Sequence, residues 1–186
     1  MKPYLKPLFA AAAVLSFSTA AFAADEYTID SAHTWVNFAV NHGGFASARG
    51  DFGDVSGTIM FDADNVTESS VSAVIKVGSI DTNNKARDGH LASPDFFNAA
   101  EFPTLTFKST SIEKTGDNTG IITGTLTMAG MSKPVSLDTT FNQGTGDKVG
   151  FSATAEITPG DFGMAKVAGF GMGPSVHITI DVEAKK

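Results

Sequence analysis

Residues 121–141 read IITGTLTMAGMSKPVSLDTTF, and this stretch decides the fold. Ile122, Gly124, Leu126 and Met128 fall on one face, with Thr123, Thr125 and Thr127 on the other. Ala129-Gly130 follows as a tight turn, and Val135, Leu137, Thr139 and Phe141 then resume the alternation. Period-two patterning with β-branched residues on one face describes a half-buried antiparallel hairpin.

The same rhythm runs outward in both directions. Upstream lie Val36-Phe38-Val40-His42, Val55-Gly57-Ile59-Phe61, Val71-Ala73-Ile75-Val77 and Leu105-Phe107-Ser109, each at spacing two. Downstream lie Val149-Phe151-Ala153-Ala155-Ile157 and Val176-Ile178-Ile180-Val182. The linkers Asp62-Ala-Asp-Asn65, Gly116-Asp-Asn-Thr-Gly120 and Asn142-Gln-Gly-Thr-Gly-Asp147 are turn chemistry of hairpin length. Sequential strands should therefore pair in up-and-down order. The expected fold is all-β, an eight-stranded antiparallel lipocalin-like barrel, because closure removes exposed edges. A two-sheet sandwich is the alternative. Asn83 to Asn98 breaks the rhythm with helix formers, a Ser93-Pro94-Asp95 turn and two adjacent Phe. It reads as one or two short helices across one barrel end.

The N-terminus has a different character. Lys2 and Lys6 precede an apolar run from Pro7 to Phe17, and Ala21-Phe22-Ala23 is a small-x-small pattern. Residues 1–23 read as a secretory signal peptide cleaved between Ala23 and Ala24, leaving 24–186 as one barrel domain. The run is short for a bilayer span, which needs roughly 20 apolar residues. Removal takes two lysines and deepens the net charge from −7 to −9. Such an acidic chain is repelled by phosphate backbones, so nucleic acid is an unsuitable partner. With no cysteine, disulfides, thiol nucleophiles and thiolate zinc sites are excluded. No later segment is apolar enough for stable membrane insertion.

Phe accounts for 15 residues against three Tyr and Trp together, and Phe burial requires no hydrogen-bond partner. For any single Phe, ordinary core packing is the simpler reading. Collectively, Gly57, Ala73, Ser109, Gly124 and Ala153 stand in phase with large residues, so the inward faces leave room for an apolar cavity. Val36, Phe38, Phe61, Phe107, Leu126, Phe141 and Phe151 are the candidate wall. His42, Arg87 and His90 are candidates for a polar end that orients one ligand terminus. Against this, Asp81, Arg87, Asp88 and His90 also suit a clip of the helical segment to the barrel rim. His177 has solvent-facing parity, and His33 and His42 are too far apart along one strand to share an ion. No metal-ligand spacing is present.

Three lookalike motifs lack their context. Asp161-Phe162-Gly163 has no nucleotide loop before it, and Gly169-Phe-Gly-Met-Gly173 has no strand–helix unit around it. The latter reads as flexible backbone before the last strand. Asn65-Val66-Thr67 fits a glycan acceptor pattern that recurs by chance. No nucleophile elbow or carboxylate pair marks a catalytic site, which favours a binder over an enzyme.

Along nearly its whole mature length the chain resembles the YceI family of exported lipid-binding proteins. The likeness is carried by Tyr27-Thr-Ile-Asp-Ser-Ala-His33, Val36-Asn-Phe38, His42, Gly50-Asp-Phe52 and Ser79-Ile-Asp-Thr-Asn-Asn84. It continues through Arg87-Asp-Gly-His-Leu91, Ser93-Pro-Asp-Phe-Phe97, Phe102-Pro-Thr-Leu-Thr-Phe-Lys-Ser109, Gly124-Thr-Leu-Thr127 and Asp161-Phe-Gly-Met164. The resemblance implies a lipocalin-like barrel with helices near one end. It also implies a non-enzymatic periplasmic carrier or sequestering protein for a polyisoprenoid, an isoprenoid quinone or a fatty-acid derivative. Apart from such a bound lipid or quinone it implies no cofactor, and a homodimer is compatible with it. The chain departs from the family pattern where Thr158-Pro159-Gly160, rather than a basic residue, follows Ile157. An enzyme acting on such a lipid, or a stress-linked interaction module with a solid barrel, are the rival readings.

Overall fold

A computed structural model describes residues 24–186; residues 1–23, on which the expected signal peptide and the Ala23 side of its expected cleavage site fall, lie outside the described residues. Eleven strand segments share one antiparallel sheet. In chain order they are β1 (Asp25–Ile29), β2 (Trp35–His42), β3 (Ala46–Phe52), β4 (Val55–Phe61), β5 (Ser70–Lys76) and β6 (Ile80–Asp81). After helix α1 (Lys85–Leu91) come β7 (Thr104–Lys114), β8 (Thr119–Met128), β9 (Met131–Gly144), β10 (Lys148–Ile157) and β11 (Met172–Lys185).

The segments assemble into a closed eight-stranded barrel. β1 and β2 form one broken strand, because both pair with β11: Ile29 opposes Ala184, and Val36 opposes Ile180. β3 and β4 form the next, pairing with β2 and β1 respectively. β5 and β6 form the third, against β4 and β3. The remaining five strands are continuous and pair in sequence order. Up-and-down order thus holds throughout, and the β1–β11 pairing closes the ring.

The three breaks lie side by side. A 3-10 turn at Ser31–His33 interrupts the first strand, Gly53-Asp54 the second and a 3-10 turn at Val77–Ser79 the third. The second and third are bonded to each other: Gly53 donates its amide to Ser79, Lys76 donates its amide to Asp54, and Lys76 Nζ reaches Asp54 Oδ2 at 2.8 Å. Val77, at this level, is completely enclosed. Breaks in neighbouring strands turn the sheet sharply without leaving backbone groups unpaired.

Asp30 holds the first break. Its carboxylate receives the Lys185 ammonium at 3.1 Å, His33 Nδ1 at 3.2 Å and the Ala32 amide at 3.2 Å. These bonds, Lys185 foremost and then His33, hold its carboxyl down from 3.8 to about 2. Another tight point is Gly57, at φ 154°, where a Cβ would stand 2.1 Å from the Ser72 carbonyl oxygen.

Four connections gather at one end of the barrel, called here the helical end. They are the β2–β3 hairpin, the α1 segment, the Ala129-Gly130 turn and residues 158–171. Ala129 and Gly130 both have positive φ, at 50° and 77°, as a two-residue hairpin turn with the sheet's twist requires. The 62–69 loop, the 115–118 and 145–147 turns and the C-terminus mark the opposite, open end.

The Gly-rich stretch carries more regular structure than its pattern suggests, because Ala165–Phe170 is a 3-10 turn and β11 already begins at Met172. The Asp161-Phe162-Gly163 motif is structural, with Phe162 buried and Gly163 ending a 3-10 turn at φ 79°.

Gly57→Ala is expected to lower unfolding stability by about 2–4 kcal/mol in denaturant titration, because the methyl is forced against backbone at a strained φ. An unchanged midpoint would contradict the close approach of β4 and β5. Asp30, whose carboxyl is held low, stabilises the folded chain above pH 3.8, and that contribution is lost as pH falls toward about 2. Asp30→Asn should therefore melt lower than the parent at neutral pH, with the two melting curves converging across that acid window. Parallel pH profiles would count against this account of the break.

Candidate functional site

The barrel is not solid. Inward side chains from all eight strands enclose an apolar interior of two lobes, about 340 Å³ toward the open end and about 310 Å³ toward the helical end. Val36, Ile75, Phe107, Leu137 and Ile180 line both lobes and form a waist between them. Every residue expected in the wall faces this interior. Phe61, Phe141 and Phe151 line the open-end lobe, Phe38 and Leu126 the helical-end lobe, and Val36 and Phe107 both.

Small inward residues have a more specific use than vacancy. Phe38 opposes Gly50 across β2 and β3, and a Cβ on Gly50 would meet the Phe38 ring at 2.4 Å. Phe107 lies likewise over Gly124, with a hypothetical Cβ 2.3 Å from its Cζ. A ring laid on a neighbouring glycine stays flat against the wall and leaves the centre open. Elsewhere the rings hold one another. Phe61, Phe141 and Phe151 form a triad with centroids 5.4 Å apart, and Phe52 bridges Phe38 and Phe97 at 5.7 and 5.8 Å. Such offset and edge-on contacts fix ring orientation.

The helical end roofs its lobe. Asn84 caps α1, accepting from the amides of Ala86 and Arg87. His90 on α1 packs edge-on against Phe96 at 4.9 Å and Phe170 at 5.6 Å, so the 3-10 turn at Ala165–Phe170 leans on the helix. Lys166 and Asp95 pair across the same seam, and the ammonium keeps the Asp95 carboxyl below its ordinary value.

Of the expected polar end, Arg87 and His90 line the roofed lobe and His42 does not. His42 has inward parity, but it sits at the last position of β2, beyond the rim and exposed to solvent. Arg87 is held from within: its Nε donates to Thr82 Oγ1 at 2.8 Å and its Nη2 to the Thr82 carbonyl at 2.6 Å. Thr82 in turn donates its hydroxyl and amide to Asp88 Oδ1, at 2.6 and 2.9 Å. The rim clip expected from the sequence is thus a hydrogen-bonded network centred on buried Thr82, and it leaves three guanidinium N–H groups of Arg87 unused. Arg49, on β3, reaches the same lobe. Among the described residues every ion pair uses Lys or His, so neither arginine has a carboxylate partner.

Pattern reading missed Phe52, Phe96, Phe97, Arg49, Thr82 and Phe170 as lining residues. Phe96 and Phe97 sit in turns without periodicity, and β3 lacks large alternating residues. The rim of the open-end lobe carries Glu113, Lys114, Asp117 and Asn118. Asp30, His33 and Glu183 approach one another on the outer surface, but Lys185 already engages Asp30 and Lys148 engages Glu183 at 2.5 Å. His177 faces outward and pairs with Glu156 at 2.8 Å.

Known proteins share this architecture. The protein YceI of Salmonella arizonae is 40% identical over 182 residues, covering 92% of each chain. The crystal structure of the Campylobacter jejuni YceI protein superposes with a TM-score of 0.70 at 34% identity, over 76% of this chain and 86% of that one. A polyisoprenoid binding domain from Saccharophagus degradans, implicated in plant cell wall breakdown, shares the fold at TM-score 0.69 and 14% identity, over 86% and 97% of the two chains. The sequence profile of the YceI-like domain matches residues 27–184, and this chain belongs to that family.

Proposed function

We propose that this protein binds one long-chain amphiphilic lipid inside the barrel and carries or sequesters it in the periplasm after export. The observation that carries the reading is the continuous apolar lining of the two lobes, from the Phe61 triad through the waist to the roof at Phe96 and Phe170. An interior of this size and chemistry lies in the range of ligand sites, roughly 300–1,000 Å³. Hydrocarbon moved from water into it gains on the order of 25 cal/mol per Å² before the costs of ordering. A polyisoprenoid, an isoprenoid quinone or a fatty-acid derivative meets that description. The polyisoprenoid-binding domain of the same fold supports the first of these.

The polar head belongs at the helical end. Arg87 offers donors aimed by Thr82, and His90 lines the same lobe. A carboxylate or phosphate there finds charge-assisted hydrogen bonds, and a phenol or amide finds donors. Binding without chemistry fits the site, because its titratable groups stand at the rims and hydrocarbon lines the middle. The signal peptide and acidic charge suit a carrier that crosses water. Among the described residues no helix is long and apolar enough to cross a membrane.

Protein purified from its own host, examined by native mass spectrometry and then extracted with organic solvent, should release a single chain-bearing lipid. Protein that is consistently empty, and takes up no isoprenoid, quinone or fatty amide when offered them, would overturn the proposal. Arg87→Ala is expected to weaken palmitate binding about tenfold, the loss of one charge-assisted bond. Uncharged geranylgeraniol should be affected far less, with melting temperature as the check on folding. Equal losses for both would place the head elsewhere.

A further inference from the structure

The cavity phenylalanines fall into three groups. Phe38, Phe52 and Phe97 brace one another, Phe61, Phe141 and Phe151 form the triad, and Phe96 and Phe170 pack with His90. Phe107 belongs to none of them: among the described residues it is the lining phenylalanine without a ring partner. It also stands at the waist, contributing to both lobes. On β5 its direct cross-strand partner is the small Ala73; on β8 its direct partner is Leu126, but the ring lies diagonally over Gly124. Ile75, Leu137, Val36 and Ile180, which complete the waist, are aliphatic and hold no ring in place.

We propose that Phe107 is a chain-length gate, a specificity-determining residue for the lipid site; the inference rests on the lipid-binding reading above. Each lobe alone is at the bottom of the roughly 300–1,000 Å³ range of ligand sites. A short chain is therefore housed in one lobe, and its affinity is independent of the waist. A long linear chain gains the second lobe only by passing Phe107, and the glycine beneath the ring gives it the width to do so. The class of ligand selected is an unbranched or methyl-branched single chain that threads both lobes with one head at Arg87. Fused-ring and double-tailed lipids are stopped at the waist.

The test compares the parent protein with Phe107→Trp and Phe107→Ala. Each delipidated protein is titrated by displacement of cis-parinarate, with laurate against behenate and farnesol against solanesol delivered from cyclodextrin. The quantity read is the ratio of long-chain to short-chain affinity. It should fall about tenfold in Phe107→Trp, where the larger ring blocks the waist, and rise in Phe107→Ala, where the waist opens. A ratio that stays within about twofold in all three proteins, each of them binding, overturns the gate and leaves the lipid site standing. Failure of the parent to bind any of the four chains overturns the lipid reading itself. Should Phe107→Trp not fold, as judged by circular dichroism, the Phe107→Ala ratio decides alone: unchanged, it overturns the gate.

Discussion

The structure depends on the first strand meeting the last. β1 and β2 must reach β11, more than a hundred residues away in sequence, and they do so at two levels separated by the Ser31–His33 turn. Without that closure β11 and the β1/β2 strand would be open edges, and the interior would be a groove rather than a cavity. The open end of the seam is fastened by charge: Lys185 binds Asp30 and Lys186 binds Asp25 at 2.8 Å across it, and Lys148 binds Glu183 beside it, between β10 and β11. Exposed pairs of this kind contribute little singly. Their value here is positional: they fix the register in which Ala184, fully enclosed, passes behind Ile29.

Closure creates a second constraint, because eight strands enclose a space that side chains alone would nearly fill. The chain keeps that space open by pairing large with small. Phe38 rests over Gly50 and Phe107 over Gly124, while Ala73, Ala153 and Ala155 stand where a larger residue would close the lobes. An apolar cavity forfeits packing energy, since its lining atoms lack partners on one side. Enclosing a hydrocarbon chain restores those contacts. Stability and ligand binding are in this sense one property of the same wall. The roof at the helical end then works as a separate unit, joined to the barrel by the Thr82 network and to itself by the His90, Phe96 and Phe170 contacts.

Much of this is legible in the sequence, and the failures are instructive. Strands with alternating branched residues, from β4 and β5 through β8, β9 and β11, announce themselves by period two. So does the cavity wall, since parity alone places Phe61, Phe107, Leu126, Phe141 and Phe151 inward. β3 is illegible: Ala46-Ser-Ala-Arg-Gly50 has no large apolar residue, and it becomes a strand because β2 pairs with it and Phe38 fills its inward face. A bulge between Ser109 and Ser111 shifts the parity of β7, so Ile112 lines the interior although it is out of phase with Phe107. His42 shows the limit of parity, which gives a direction but not the height of the rim. Division of the interior into two lobes depends on ring orientation, which no pattern of residue types encodes.

The central claim is that a single lipid chain occupies the whole interior, and a crystal structure of the protein purified with its host lipid tests it most directly. The account predicts one elongated density running from beside Arg87 and His90, past Phe107, to the Phe61, Phe141 and Phe151 triad. An interior holding only water, or a ligand bound to the outer surface of the barrel, would contradict it.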